Sequence, residues 1–181
     1  MKNLCLSLCV CLLSFGAIAQ SKLTTSTGHI KFFSSTVAED IEANNYKVLS
    51  TLSSDGTLVF SVPMQSFEFD KAMMQKHYNS KKFLDTKQFP KAKFKGNISN
   101  IDDIDLTKDG TYTAKVTGAL TIHGETNSVE EDLHLKVNAG QVMATTEFTI
   151  VLADYGVAFK DGKPSTNIAK EIKITATLDY K

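Results

Sequence analysis

The chain has 181 residues, with 20 basic side chains against 20 acidic ones, and every basic residue is a lysine. Balanced charge excludes the electropositive footprint that nucleic-acid binding needs. The absence of arginine removes the bidentate fork best suited to a carboxylate or phosphate anchor.

The first nineteen residues read as a secretory leader. Lys2 supplies the positive start, Leu4 to Ile18 the apolar stretch, and Ala17-Ile18-Ala19 the small-x-small cleavage site, leaving Gln20 as the new N-terminus. The apolar run is short for a membrane span. Cys5, Cys9 and Cys11 all fall inside it, and none follows the Leu-x-Gly/Ala pattern of a lipoprotein site. Removing 19 residues from 181 leaves 162, a length for one domain over residues 20–181. That mature chain has no cysteine, so thiolate zinc, redox and nucleophile chemistry lapse. The expected location is exported, periplasmic or secreted.

Strands are predicted over Ile30 to Ser35, Tyr46 to Leu52 and Leu58 to Met64, with Ser54-Asp55-Gly56 as a hairpin turn. The stretch from Asp70 to Lys82 then breaks the strand pattern. Met73, Met74, His77 and Tyr78 lie at helical neighbour spacings, with Asp70 placed as N-cap, and no Pro or Gly interrupts before Phe83 and Leu84. Phe67 and Phe69 precede this helix, and Phe83, Phe89 and Phe94 follow it. The expectation is a short helix that caps one end of a barrel with an apolar face, over a pocket for a hydrophobic small molecule. The Met73-Met74 pair suits a flexible apolar guest, and equally suits ordinary packing of a helix on a sheet.

A strand over Lys91 to Ile101 comes next, then Asp102, Asp103 and Asp105, which lack the spacing of a calcium loop and read as a solvated connection. Period-two alternation is cleanest beyond this point. Tyr112, Ala114, Val116, Gly118, Leu120 and Ile122 share one face, opposite Thr111, Thr113, Lys115, Thr117 and Thr121. The pattern recurs in Leu133, Leu135 and Val137, in Phe148, Ile150 and Leu152, and in Ile172, Ile174, Ala176 and Leu178. Lys108-Asp109-Gly110, Asn138-Ala139-Gly140 and Lys160-Asp161-Gly162 supply turn residues.

About eight antiparallel strands make an all-β barrel or sandwich. A closed barrel of that size either fills itself with side chains or holds one small ligand. Phe60, Phe94, Phe148 and Ile150 have inward parity, as do the small Gly96, Ala114, Gly118, Ala144 and Ala176. The small residues either leave space or admit close packing of the backbone.

Four histidines are available for chemistry. His77 shares the helix face of the methionines, where it either presents a ring nitrogen to a polar head group or packs as an ordinary helix residue. His123 and His134 fall on the polar faces of their strands, and the register of His29 is open. Neither His-x-His nor His-Glu-x-x-His occurs, nor does Gly-x-Ser-x-Gly. No metal, cofactor or catalytic set is expected.

Several ordered motifs carry a resemblance. Phe67-Glu68-Phe69, the run Met74-Gln75-Lys76-His77-Tyr78 leading to Phe83-Leu84-Asp85, the segment from Phe89 to Gly96, and Gly118-Ala119-Leu120-Thr121-Ile122-His123-Gly124 are similar to those of the YceI-like, polyisoprenoid-binding proteins of bacterial periplasms. The likeness covers nearly all of the mature chain. It implies an extended, lipocalin-like antiparallel β-barrel whose hydrophobic channel takes up a long isoprenoid, an isoprenoid quinone or a similar amphiphile. The channel or mouth residues expected are Phe60, Phe67, Phe69, Met73, Met74, His77, Phe83, Phe94, Leu120, Phe148 and Ile150. The function that follows is a periplasmic, non-enzymatic carrier. The alternatives are an envelope protein with a solidly packed barrel, and a lipid-modifying enzyme that uses His77 with Tyr78. A symmetric homodimer stays open, because nothing in the chain selects a surface.

Overall fold

The computed structural model describes residues 22–157, 159–160, 163–164 and 167–181. The expected leader and the Asp161-Gly162 turn positions lie outside them. Seven long strands follow in order: β1 (Lys22–Ser35), β2 (Asp40–Ser53), β3 (Thr57–Pro63), then, after the two-residue β4 (Glu68–Phe69) and the helix α1 (Ala72–Asn79), β5 (Lys91–Ile98), β6 (Gly110–Ile122), β7 (Glu125–Asn138) and β8 (Gln141–Val151). A small hairpin of β9 (Phe159–Lys160) and β10 (Lys163–Pro164) precedes the last strand, β11 (Glu171–Tyr180).

Every pairing is antiparallel, and the sheet closes because β1 pairs on one edge with β11 and on the other with β2. The result is a closed eight-stranded barrel with one α-helix among the described residues, which decides between the barrel and the sandwich that the alternation left open, in favour of the barrel that the resemblance implies. Closure removes the exposed edges that an open sheet would present. β4 lies beside β2, pairing Phe69 with Ala43, and so prolongs the wall beyond the end of β3.

Three of the tight connections depend on positive φ. Gly56 (85°) follows β2, and Ala139 (49°) with Gly140 (77°) makes the two-residue turn between β7 and β8. His123 (53°) with Gly124 (88°) makes the same kind of turn between β6 and β7. This corrects the placement of His123 on a polar strand face. The Lys108-Asp109-Gly110 element is no hairpin turn, since Gly110 opens β6; the Asp109 carboxylate instead accepts a bond from the Ala139 amide at 2.9 Å. Asp105, in the acidic connection, accepts bonds from the Thr107 amide and hydroxyl, which hold its carboxyl below the usual carboxylate range.

The helix is shorter than the predicted Asp70 to Lys82, and its N-cap is Lys71 with no side-chain bond, so the Asp70 cap is corrected. Gln75 holds the start of the helix by another route. Its Nε2 donates to Phe67 O at 2.7 Å and its Oε1 accepts from Phe69 N at 3.3 Å, which ties the first turn to β4. At the other end Ser80 is extended and donates its hydroxyl to His77 O at 2.7 Å. Lys81 and Lys82 therefore fall in the following turn.

The interior is divided along the barrel axis. Toward the β7–β8 turn, Leu52, Leu58, Ile98, Ala114, Leu135, Ala144 and Leu178 are sealed from solvent, and the buried Tyr180 hydroxyl bonds Ser50 at 2.7 Å. That half is a buried core. Toward the helix, Phe32, Leu120, Ile122, Phe148 and Ile174 are only partly covered, and the barrel is hollow.

Candidate functional site

The hollow half is a cavity of about 680 Å³, within the range of small-molecule sites. Register explains its wall. Phe32, Ile174 and Phe148 are adjacent across β1, β11 and β8, and Ile172 lies beside Ile150 one inward step further on. β6 contributes Leu120 and Ile122, while Val62 of β3 pairs with Ala92 of β5. A second cavity of about 100 Å³ shares Ile30, Val62, Ala92, Leu120, Phe148 and Ile174 with the first and extends toward Phe60 and Phe94, which meet edge to face at 5.9 Å.

One side of the large cavity is aromatic. Tyr78 is buried, stacks on Phe32 at 5.9 Å, and touches Phe67 at 5.7 Å and Phe69 at 5.0 Å. Its hydroxyl points to Met64 Sδ at 4.0 Å, and burial pushes the phenol well above its ordinary titration range. Tyr78 is therefore a neutral wall residue across the physiological range. The phenol is buried, whereas the adjacent His77 sits at the exposed rim of the cavity.

Polar groups gather where the cavity opens. His77 and Lys82 are both exposed and both line it. Glu39, on the same rim, pairs with Lys71 Nζ at 2.8 Å. Ser34 is buried and accepts a bond from the Ala169 amide at 2.9 Å, which lays the segment before β11 against β1. On the far side the 3-10 turn Leu152–Tyr155 is held to the β6–β7 turn: Asn127 Nδ2 donates to Asp154 O at 2.7 Å, and His123 Nδ1 lies 3.3 Å from Tyr155 O. The His123 ring stands edge-on to Phe89 at 4.6 Å, so this histidine braces the mouth.

Phe67, Phe69, Met74, His77, Phe83, Leu120, Phe148 and Ile150 line the large cavity, and Phe60 and Phe94 the small one. Met73 is the exception, 62% exposed and outside both cavities. Met74 lies three residues before His77 and four before Tyr78, which flank it on the cavity side, whereas Met73 is turned about 100° from Met74, past His77 and into solvent. Among the other histidines, His29 is on the outer wall, stacked on Tyr46 at 4.5 Å and 2.8 Å from Asn44 Oδ1, and His134 is exposed beside Thr113.

Sequence reasoning missed Phe32, Met64, Tyr155, Val157 and Ile168 as wall residues, and left Ile122, Ile172 and Ile174 unselected. The last three carry the inward parity that marks their neighbours. Phe32 was hidden by the register shifts around Gly28, and Tyr155, Val157 and Ile168 belong to a connection without periodicity.

A closed antiparallel barrel, packed at one end and hollow and apolar at the other, defines a lipocalin-like class of structure. Within that class the chain belongs to the YceI-like domain family, which it matches over residues 14–180. A UPF0312 protein of Shewanella denitrificans is 28% identical over 130 residues, 67% of this chain; the match spans 63% of that relative's length. Among solved structures, a polyisoprenoid binding domain from Saccharophagus degradans implicated in plant cell wall breakdown superposes with a TM-score of 0.75 at 14% identity, covering 90% of this chain and 98% of that one. BcnA of Burkholderia cenocepacia gives 0.71 at 19% identity, with coverages of 84% and 95%. At such identities the likeness is one of fold.

Proposed function

We propose that the protein is a periplasmic carrier that sequesters a long-chain hydrophobic molecule, such as a polyisoprenoid, an isoprenoid quinone or a similar amphiphile, without chemically altering it. The observation that carries this reading is the 680 Å³ cavity walled by aliphatic and aromatic side chains inside a closed barrel. A chain removed from water there gains about 0.8 kcal/mol for each CH₂, so affinity needs no charged anchor. The shared residues between the two cavities give a tail a route from the helix toward Phe60 and Phe94. His77 and Lys82 at the opening are placed to meet a polar head group. The leader-like start of the chain and the polyisoprenoid-binding relative of the same fold support the location and the ligand class.

Native mass spectrometry of the gently purified protein tests the proposal. A bound hydrophobic adduct is expected, as is uptake of an offered polyprenol or quinone by emptied protein. An Ile174→Trp change, which puts bulk where the two cavities join, is expected to abolish uptake while the far-ultraviolet spectrum stays that of the parent. Protein that is empty as isolated and takes up neither compound would overturn the reading.

A further inference from the structure

Charge on this neutral chain is unevenly placed. From Glu68 to Lys95, the stretch that contains α1 and β5, eight lysines stand against the three acids Glu68, Asp70 and Asp85; the rest of the chain has 12 against 17. All eight lysines are exposed. The stretch borders the opening of the cavity, where Lys82 lines the rim beside His77 and Glu39. Two apolar side chains project from the same rim. Met73 is 62% exposed on the helix, and Val37, at the tip of the connection between β1 and β2, is fully exposed. The Lys71–Glu39 ion pair joins the start of the helix to that tip.

We propose that this rim docks on an anionic lipid surface, with Met73 and Val37 entering the headgroup region and the lysines lying against lipid phosphates, so that the cavity opens onto the bilayer. The inference rests on the carrier reading for its purpose. Apolar tips set among lysines match a membrane interface, which is apolar below and negative above. A nucleic acid or an acidic protein would use the lysines and leave the two apolar tips in water.

Co-sedimentation with vesicles of phosphatidylcholine alone, and of equal parts phosphatidylcholine and phosphatidylglycerol, tests the proposal on the ligand-free protein. Binding to the anionic vesicles at low salt is expected, and its loss at high salt. Each lysine near such a surface contributes roughly fivefold, so combined Lys76→Glu, Lys81→Glu and Lys87→Glu should weaken partitioning about a hundredfold or more. Val37→Ser with Met73→Ser should weaken it while leaving its dependence on salt unchanged. Lys115→Glu with Lys136→Glu, on the packed half, should leave it unaltered, and thermal melts should show every variant folded. No binding to anionic vesicles, or an equal loss from the packed-half pair, overturns the proposal. So does binding to heparin as tight as to vesicles and indifferent to the Val37 and Met73 changes, which would mark a general polyanion site. Docking is read without any guest and uptake without any vesicle, so failure of one is distinguishable from failure of the other.

Discussion

Gly96 and Gly118 show how a single residue type can be read two ways. Both have inward parity, and a vacancy would be one consequence of two missing side chains. They face each other in register across β5 and β6, and the ring of Phe94 lies over them. A Cβ built on Gly118 would fall 2.5 Å from Gly96 Cα and 2.6 Å from Lys95 O, and one on Gly96 would fall 2.4 Å from the Phe94 ring and 2.6 Å from Thr117 O. These glycines let a phenylalanine and two backbones come together, so they fill the barrel rather than hollow it. Gly118→Ala is expected to cost about 1–3 kcal/mol, the usual range for overpacking. Denaturant unfolding measures the loss. Adding Phe94→Ala should fail to restore stability, because the collisions with Lys95 O and Gly96 Cα are with backbone.

The helix is an element that cannot stand alone. Eight residues are too few to hold a helix in water, and no side chain caps its start. Its place depends on Tyr78 sunk among Phe32, Phe67 and Phe69, and on the Gln75 amide that reaches β4. Gln75→Ala removes two hydrogen bonds, about 1 kcal/mol each. Amide exchange over Ala72–Asn79 is expected to quicken by more than the global loss of stability explains, while the strands keep their protection. Uniform acceleration through the whole barrel would show instead that the helix and the barrel open together. Helical spacing alone makes both Met73 and Met74 candidates for the inner face; the orientation fixed by Tyr78 and Gln75 selects Met74 and leaves Met73 in solvent.

The molecule as a whole behaves as two barrels end to end, one solid and one hollow. Leucines of the same inward parity should therefore differ in worth. Leu135 is sealed in the packed half, and Leu135→Ala is expected to destabilise by about 2–5 kcal/mol. Leu120 borders both cavities, and Leu120→Ala, which enlarges an existing space, should cost about 1 kcal/mol. Thermal unfolding of the two variants side by side checks the contrast. Equal losses would mean that the helix half is packed as tightly as the other.

Alternation along β6, β7, β8 and β11 is local information, since each strand's inward and outward faces follow from its own residues, and Asp55-Gly56 and Asn138-Ala139-Gly140 mark two of the places where the chain reverses, while Asp109-Gly110 does not. Strand number, antiparallel pairing and the all-β class were accordingly legible in the chain. The His123-Gly124 turn was not, because the alternation runs unbroken to Ile122 and histidine is a weaker turn signal than Asn or Asp; in the fold Phe89 and Tyr155 brace it. Nor was the division between packed and hollow interior. Free volume depends on distances across the barrel between side chains of strands far apart in sequence, and those distances exist only after β1 has closed the sheet against β11 and β2. Period-two patterning says which way a residue faces; only closure determines whether it meets another side chain there or an open space.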